Sequence, residues 1–334
     1  MLKRLSFLFA ICAQTALAGQ ELVNQSLDRH ILPTFDALAD HTATLNEVAA
    51  IHCAPHSVEL RSAYSDAFDA WVRASHIRVG PSEENDRAFA LAFWPDTKGF
   101  TGKSLDTLIR AADPIIHNPE DFATLSVAAR GFYALELLLF DTGFQSKATA
   151  EYRCDLVRAI AFEIHRNATA IKWSWQSFQD DLRMPRAEGL YKTEAEALRE
   201  VFKALNTGLQ FTSFARLGRP LGTFERPRPR RAEARRSSRS ARHVELSLQA
   251  TYTLARILAS DDPQIARDLA LAYDRALDLV GDLNDPDFSG VAEPMGRFRV
   301  EVLQQAIDRI REIVILELAP ALGVTAGFNA LDGD

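Results

Sequence analysis

Apolar residues recur at steps of three and four through nearly the whole chain, and that repeat limits the fold more than any other feature. Leu303, Ile307, Ile310 and Val314 form one stripe, Leu27, Ile31, Phe35 and Leu38 a second, and Val58, Tyr64, Phe68 and Trp71 a third. Each such segment buries one face of an α-helix. No stretch alternates with period two between hairpin turns, so a sheet is not indicated. The expected fold class is all-α. Helices are expected over 22–52, with a kink or local break at Pro33, and from residue 58 to a stop at Gly80-Pro81. Further helices are expected over 103–112, 121–140, 149–182, 193–217, 241–258, 262–279 and 298–318, while 82–99, around Phe93-Trp94-Pro95-Asp96, reads as an ordered excursion.

Met184-Pro185 and Gly189 interrupt the helical pattern near the middle. Roughly equal numbers of helices on either side imply two antiparallel bundles packed together, over 19–185 and 190–322, followed by a loose tail over 323–334.

The N-terminus sets the compartment. Lys3 and Arg4 precede an apolar run from Leu5 to Ala13, and Ala16-Leu17-Ala18 supplies the small residues of a cleavage site. The pattern is that of a secretory signal peptide over 1–18, too short for a permanent membrane span, so a periplasmic chain without a transmembrane anchor is expected. Cleavage removes Cys12 and leaves Cys53 and Cys154. An even pair in an oxidising compartment reads as a disulfide, and no CxxC or Cys-His spacing supports a thiol nucleophile or a metal pair instead. Loss of Lys3 and Arg4 takes the formal charge from −7 to −9, which argues against nucleic acid as a partner.

One carboxylate stands out. Glu136 sits inside Gly131-Phe132-Tyr133-Ala134-Leu135-Glu136-Leu137-Leu138-Leu139-Phe140, an otherwise apolar run in which Tyr133 shares its face. A carboxylate there must either reach a partner or line a site, because burial of an unpaired charge is costly.

Several separated blocks point further. Trp71, Arg78-Val79-Gly80-Pro81, Phe93-Trp94-Pro95-Asp96, Arg130-Gly131-Phe132-Tyr133-Ala134-Leu135-Glu136 and the arginine-serine segment from Arg231 to Ser240 occur in an order and at separations that resemble the imelysin family, also called M75 peptidase-type proteins. The resemblance implies two helical bundles in a periplasmic or surface protein of iron or haem acquisition. Its partners would be iron-acquisition components or an iron or haem ligand. The family's GxHxxE motif implies a metal or catalytic site. Gly131 and Glu136 match that motif, but Tyr133 stands at the histidine position. Tyr133 and Glu136 form an oxygen-only pair suited to ferric iron rather than zinc, which makes a zinc peptidase the weaker reading. The sequence contains no replacement HExxH, and the other histidines read as singly scattered; His52 and His56, spaced by four, lack the intervening glutamate.

Between Arg226 and Arg242 eight arginines stand against one glutamate. Arg226 to Arg230 reads as a solvated connector. Arg231, Glu233, Arg236, Ser237 and Ser240 are candidate cleft residues by the resemblance, because guanidinium forks there can pair with Glu136 or hold an anionic ligand. Asp96 is a candidate from the loop before the Glu136 helix and, equally, a helix-capping residue. Arg78 and Arg130 are candidate partners of the carboxylates. The functions expected, in order, are non-catalytic binding of a metal ion, chelate or partner at the inter-bundle cleft, a metallopeptidase of the M75 type, and a structural or interaction module with an internally salt-bridged cleft.

Overall fold

A computed structural model describes residues 19–147 and 149–324; the leader expected over 1–18 and all but the first two residues of the expected tail lie outside the described residues. Among the described residues the regular structure is helical, with one isolated bridge between Thr223 and Arg226 and no strand.

Helix α1 (Leu32–Ile51) is entered through a π-helical turn, Leu27–Ile31, in which the Leu32 N–H reaches the Leu27 carbonyl. The widened turn accommodates Pro33, which has no N–H to give. The kink or break expected there is therefore a continuous helix with one wide turn. Helix α2 (Val58–Ala74) starts where the Ser57 side chain accepts the Leu60 N–H. Helix α3 (Phe100–Ala111) follows the excursion.

The helix expected over 121–140 is a correction. It breaks into a short turn of helix at Pro119–Phe122, a 3-10 turn at Val127–Ala129 and helix α4 (Gly131–Phe140). Apolar spacing runs through these pieces, but local polar chemistry divides them. Ser126 accepts the Ala128 N–H, Arg130 is extended, and Gly131 has φ of 78°. A Cβ on Gly131 would lie 2.3 Å from the carbonyl oxygens of both Ala90 and Leu91. Only glycine allows that approach.

Helix α5 (Ala150–Arg183), capped by Thr149, closes the first half. Helix α6 (Glu194–Phe211), capped by Thr193, continues through a π-helical stretch, Thr212–Leu217. Helices α7 (Ser240–Leu258), α8 (Pro263–Gly281) and α9 (Pro294–Ile313) complete the second half.

In the first half α1 lies between α2 and α5, with α4 against α5; in the second, α8 packs on α7 and α9, and α6 packs on the same two. Helix α7 also packs on α2. As a result one hydrophobic cluster runs continuously from Leu22 to Val324. Phe68 and Phe132 stack within it at 4.6 Å between ring centroids, and burying each ring contributes about 2 kcal/mol. Cys53 and Cys154 form the expected disulfide, joining the end of α1 to the start of α5 across a sequence separation of 101. A loop of that size corresponds to about 4–5 kcal/mol of chain-entropy stabilisation.

The histidines are not all single. His30 Nε2 lies 2.9 Å from His76 Nε2, and both side chains are buried. Burial pushes the His30 pKa down to about 4, and burial together with the neighbouring His30 holds His76 well below its ordinary value.

Candidate functional site

Helix α4 delivers three polar groups to the junction between the halves: Tyr133, Glu136 and, at its C-cap, Asp141. Each is met by the arginine-serine segment of the second half. The Tyr133 hydroxyl donates to Glu233 Oε1 at 2.5 Å. The Ser237 backbone N–H and hydroxyl both donate to Glu136 Oε1, at 2.9 and 2.8 Å. Arg236 Nε donates to Asp141 at 2.7 Å.

Glu233 is 3% exposed and carries the densest set of contacts. Besides Tyr133, its carboxylate accepts Arg216 Nε at 2.7 Å and lies 3.2 Å from His243 Nδ1. Burial alone would raise its pKa, but Arg216, His243 and the Tyr133 hydroxyl outweigh burial and bring it down to about 2. Tyr133 moves the other way. Burial, and then the neighbouring Glu233, hold its pKa well above the ordinary value, so the phenol keeps its proton. Ser240 donates to the Glu233 carbonyl, and Arg239 and Arg242 pair with Asp69 on α2. These contacts fix a segment that contains two left-handed non-glycine residues, Ala234 and Ser238.

The segment folds over a crevice of about 260 Å³ lined by Phe93, Trp94 and Asp96 from the loop before α3, by Tyr133 and Glu136 from α4, and by Arg219, Arg230, Arg231, Arg235 and Arg236. Asp96 both lines the crevice and caps α3, since its oxygens accept the Phe100 and Thr101 N–H groups at 2.9 and 2.8 Å. Arg219 lies over the Trp94 ring, 5.5 Å from its centroid. Its Nε is buried without a hydrogen-bond partner.

A sequence-family comparison decides the classification: the imelysin model (Peptidase_M75) matches residues 31–314, most of the chain. The chain belongs to the imelysin family. A curated relative of this imelysin chain is "Iron-regulated protein A" of Synechococcus elongatus, 23% identical over 94% of the present chain and 90% of the relative. The fold matches that of an imelysin-like protein from Psychrobacter arcticum 273-4, at 18% identity and a TM-score of 0.77, covering 94% of this chain and 98% of that one. It also matches a putative iron-regulated protein A precursor from Parabacteroides distasonis, at 12% identity and a TM-score of 0.74, covering 90% and 94%.

The sequence-derived candidates divide in the imelysin fold. Asp96, Tyr133, Glu136, Arg231 and Arg236 line the crevice, while Glu233, Ser237 and Ser240 hold its wall from behind. Gly131 acts through its backbone, packing α4 against Ala90 and Leu91. Arg78 and Arg130 do not reach the crevice. Arg78 pairs with Glu83 in its own loop, and Arg130 forms a buried pair with Glu163 on α5 at 2.8 Å. Arg230, assigned from sequence to a solvated connector, is exposed as expected and also contributes to the crevice lining. Arg216, Arg219 and His243 gave no signal in sequence beyond ordinary helix-face polarity. Among the described residues no group of three His, Cys, Asp or Glu side chains is placed to hold a metal ion, and no helix is long and apolar enough to cross a membrane.

Proposed function

We propose that this imelysin is an exported, periplasmic, non-catalytic component of iron acquisition that binds an iron-bearing ligand in the crevice between its bundles. The observation that carries this reading is the crevice itself: the family-motif carboxylate Glu136 faces it from one half of the chain while unpaired arginines face it from the other. The iron connection is drawn from the iron-regulated relatives, and export from the leader pattern in the sequence.

Iron enters this reading as cargo. A bare ferric ion held by Tyr133 and Glu136 would have to displace the Tyr133 proton, which burial retains, and to compete with Ser237 for Glu136. An ion already wrapped in a chelate meets neither obstacle. The same donor chemistry supports binding over peptide hydrolysis, since a metal-activated water is ordinarily held by three protein ligands. A second reading has its own observation: Tyr133–Glu233, Glu136–Ser237 and Asp141–Arg236 are internal bridges, as a purely structural module would have. Those bridges leave Arg219, Arg230 and Arg231 without an ion-paired carboxylate, and Arg235 with only the longer-range attraction of Glu136 and Asp141, which favours a ligand.

Purified mature protein titrated with a ferric polycarboxylate, free Fe³⁺, Zn²⁺ and haem tests the proposal, with Glu136→Ala as the site variant. The ferric chelate is expected to bind and Glu136→Ala to weaken it. Binding of none of these, or binding indifferent to Glu136→Ala, overturns the assignment. Chelator-sensitive cleavage of a denatured protein substrate would restore the peptidase reading.

A further inference from the structure

The crevice is charged in a way that its own residues do not resolve. Five guanidinium groups line it against two carboxylates, Asp96 and Glu136. Arg236 is matched by Asp141 at its edge. Arg219, Arg230, Arg231 and Arg235 have no carboxylate within ion-pair distance among the described residues. Asp96 is committed to two backbone N–H groups, and one oxygen of Glu136 to Ser237.

The four arginines are also held near one another. Burial, then the adjacent Arg231, pushes the Arg219 pKa down, and burial, then Arg236 and Arg230, does the same to Arg235, only partly opposed by the attraction of Glu136 and Asp141. Partial burial of Arg219 and Arg235 and the repulsion among these cations thus oppose the empty arrangement; Arg230 and Arg231 are exposed, and a bound anion would offset the repulsion by direct pairing. The orientation is fixed in advance: Arg219 lies over Trp94, which itself packs edge-on against Phe211 with centroids 5.8 Å apart. The segment carrying the other three is tied down on both flanks, by Pro220 accepting the Arg228 N–H and by Glu233 and Ser237.

We infer that this crevice binds a small oligocarboxylate of at least two negative charges, gripped by Arg219, Arg230, Arg231 and Arg235 above the face of Trp94. The inference rests on the crevice being the ligand site and adds the ligand's class. Guanidinium forks match planar carboxylates in a bidentate manner, whereas a single ammonium supplies only a point charge. A volume of about 260 Å³ lies just below the range of roughly 300–1,000 Å³ usual for small-molecule pockets, which suits a compact anion and not a macrocycle enclosed in full. The chain as a whole is negative at −7, so this local positive field is confined to the site and selects for charge there.

The test uses the mature, disulfide-bonded protein. Calorimetric titration with citrate, propane-1,2,3-tricarboxylate, inorganic phosphate and acetate is run on wild type, Arg219→Gln, Arg235→Gln and Arg226→Gln, the last lying in the same basic segment outside the crevice. Both tricarboxylates are expected to bind and acetate not to. Arg219→Gln and Arg235→Gln should each weaken binding by about tenfold or more, and Arg226→Gln should leave it unchanged. Without ligand, Arg219→Gln and Arg235→Gln should unfold cooperatively with midpoints close to wild type, because neither side chain makes an ion pair; this separates loss of binding from loss of fold. Failure of either tricarboxylate to bind, equal binding by the crevice variants, or binding of phosphate in place of the carboxylates overturns the inference. If the free tricarboxylate binds through the arginines but its ferric complex does not, the ligand class stands and the iron reading fails. If the ferric complex binds regardless of Arg219 and Arg235, the iron reading stands and the ligand class fails.

Discussion

Replacing Glu233 by glutamine preserves its size and an acceptor for Tyr133 but removes the charge that Arg216 and His243 face. The wild-type carboxyl is almost fully buried, and its pKa falls from an ordinary 4.5 to about 2. That drop, at about 1.4 kcal/mol per pH unit, amounts to about 3 kcal/mol. The figure agrees with the roughly 3–5 kcal/mol lost when one member of a buried ion pair is removed and the other is left uncompensated. The folded carboxyl binds its proton less tightly than the unfolded one. Its contribution is therefore complete above about pH 4.5 and disappears as the pH falls toward 2. Urea unfolding at pH 7 should show Glu233→Gln less stable than wild type by about 3 kcal/mol, and the gap should close as both are titrated down through that window. A loss below about 1 kcal/mol at pH 7, the scale of an exposed pair, would refute the view that Glu233 is the anchor of the arginine-serine segment. So would a gap that stays constant into strong acid.

Three other perturbations follow from the same contacts. Gly131→Ala, at φ of 78° and with a Cβ 2.3 Å from two carbonyl oxygens, should cost more than about 2 kcal/mol in equilibrium unfolding; a near-neutral change would mean that α4 does not enter through this turn. The His30 imidazole should titrate near pH 4 by NMR, and because the unfolded histidine takes up its proton first, this group lowers stability as the pH falls from about 6.5 toward 4; a midpoint near 6.5 would show the His30–His76 contact open to solvent. Reduction of Cys53–Cys154, or replacement of both by alanine, should lower stability by about 2–5 kcal/mol, measured by urea unfolding with the slope fitted separately for each form, since opening the cross-link exposes more surface in the unfolded chain.

The helices were legible because burial of one face writes a repeat of three and four that tolerates almost any core residue. What divided them was less visible. The break before Gly131 depends on one hydroxyl cap and one positive φ, neither of which disturbs apolar spacing. That Glu136 needs a partner was legible because a carboxylate in an apolar run must find one, and Ser237 is that partner. Arg216 and Arg219 were not, since a polar residue on a helix looks the same whether it faces solvent or a junction formed with residues far away in sequence. The His30–His76 pair was hidden for the same reason: each histidine is isolated in its own segment, and only the packing of the π-helical turn against the end of α2 brings the rings together. Arg78 and Arg130 show the converse error, as positions that resembled the family pattern but found carboxylates of their own in Glu83 and Glu163.

What occupies the space between Trp94, Tyr133 and Arg235 decides the function of the crevice. The most direct measurement is a crystal structure of the mature protein grown with ferric citrate and recorded at the iron absorption edge. An anomalous peak inside the crevice, with carboxylate density against Arg219 and Arg235 and the Tyr133–Glu233 hydrogen bond intact, is the expected result. An iron peak elsewhere on the molecule, or a crevice that stays free of both iron and carboxylate at saturating ligand, would contradict it.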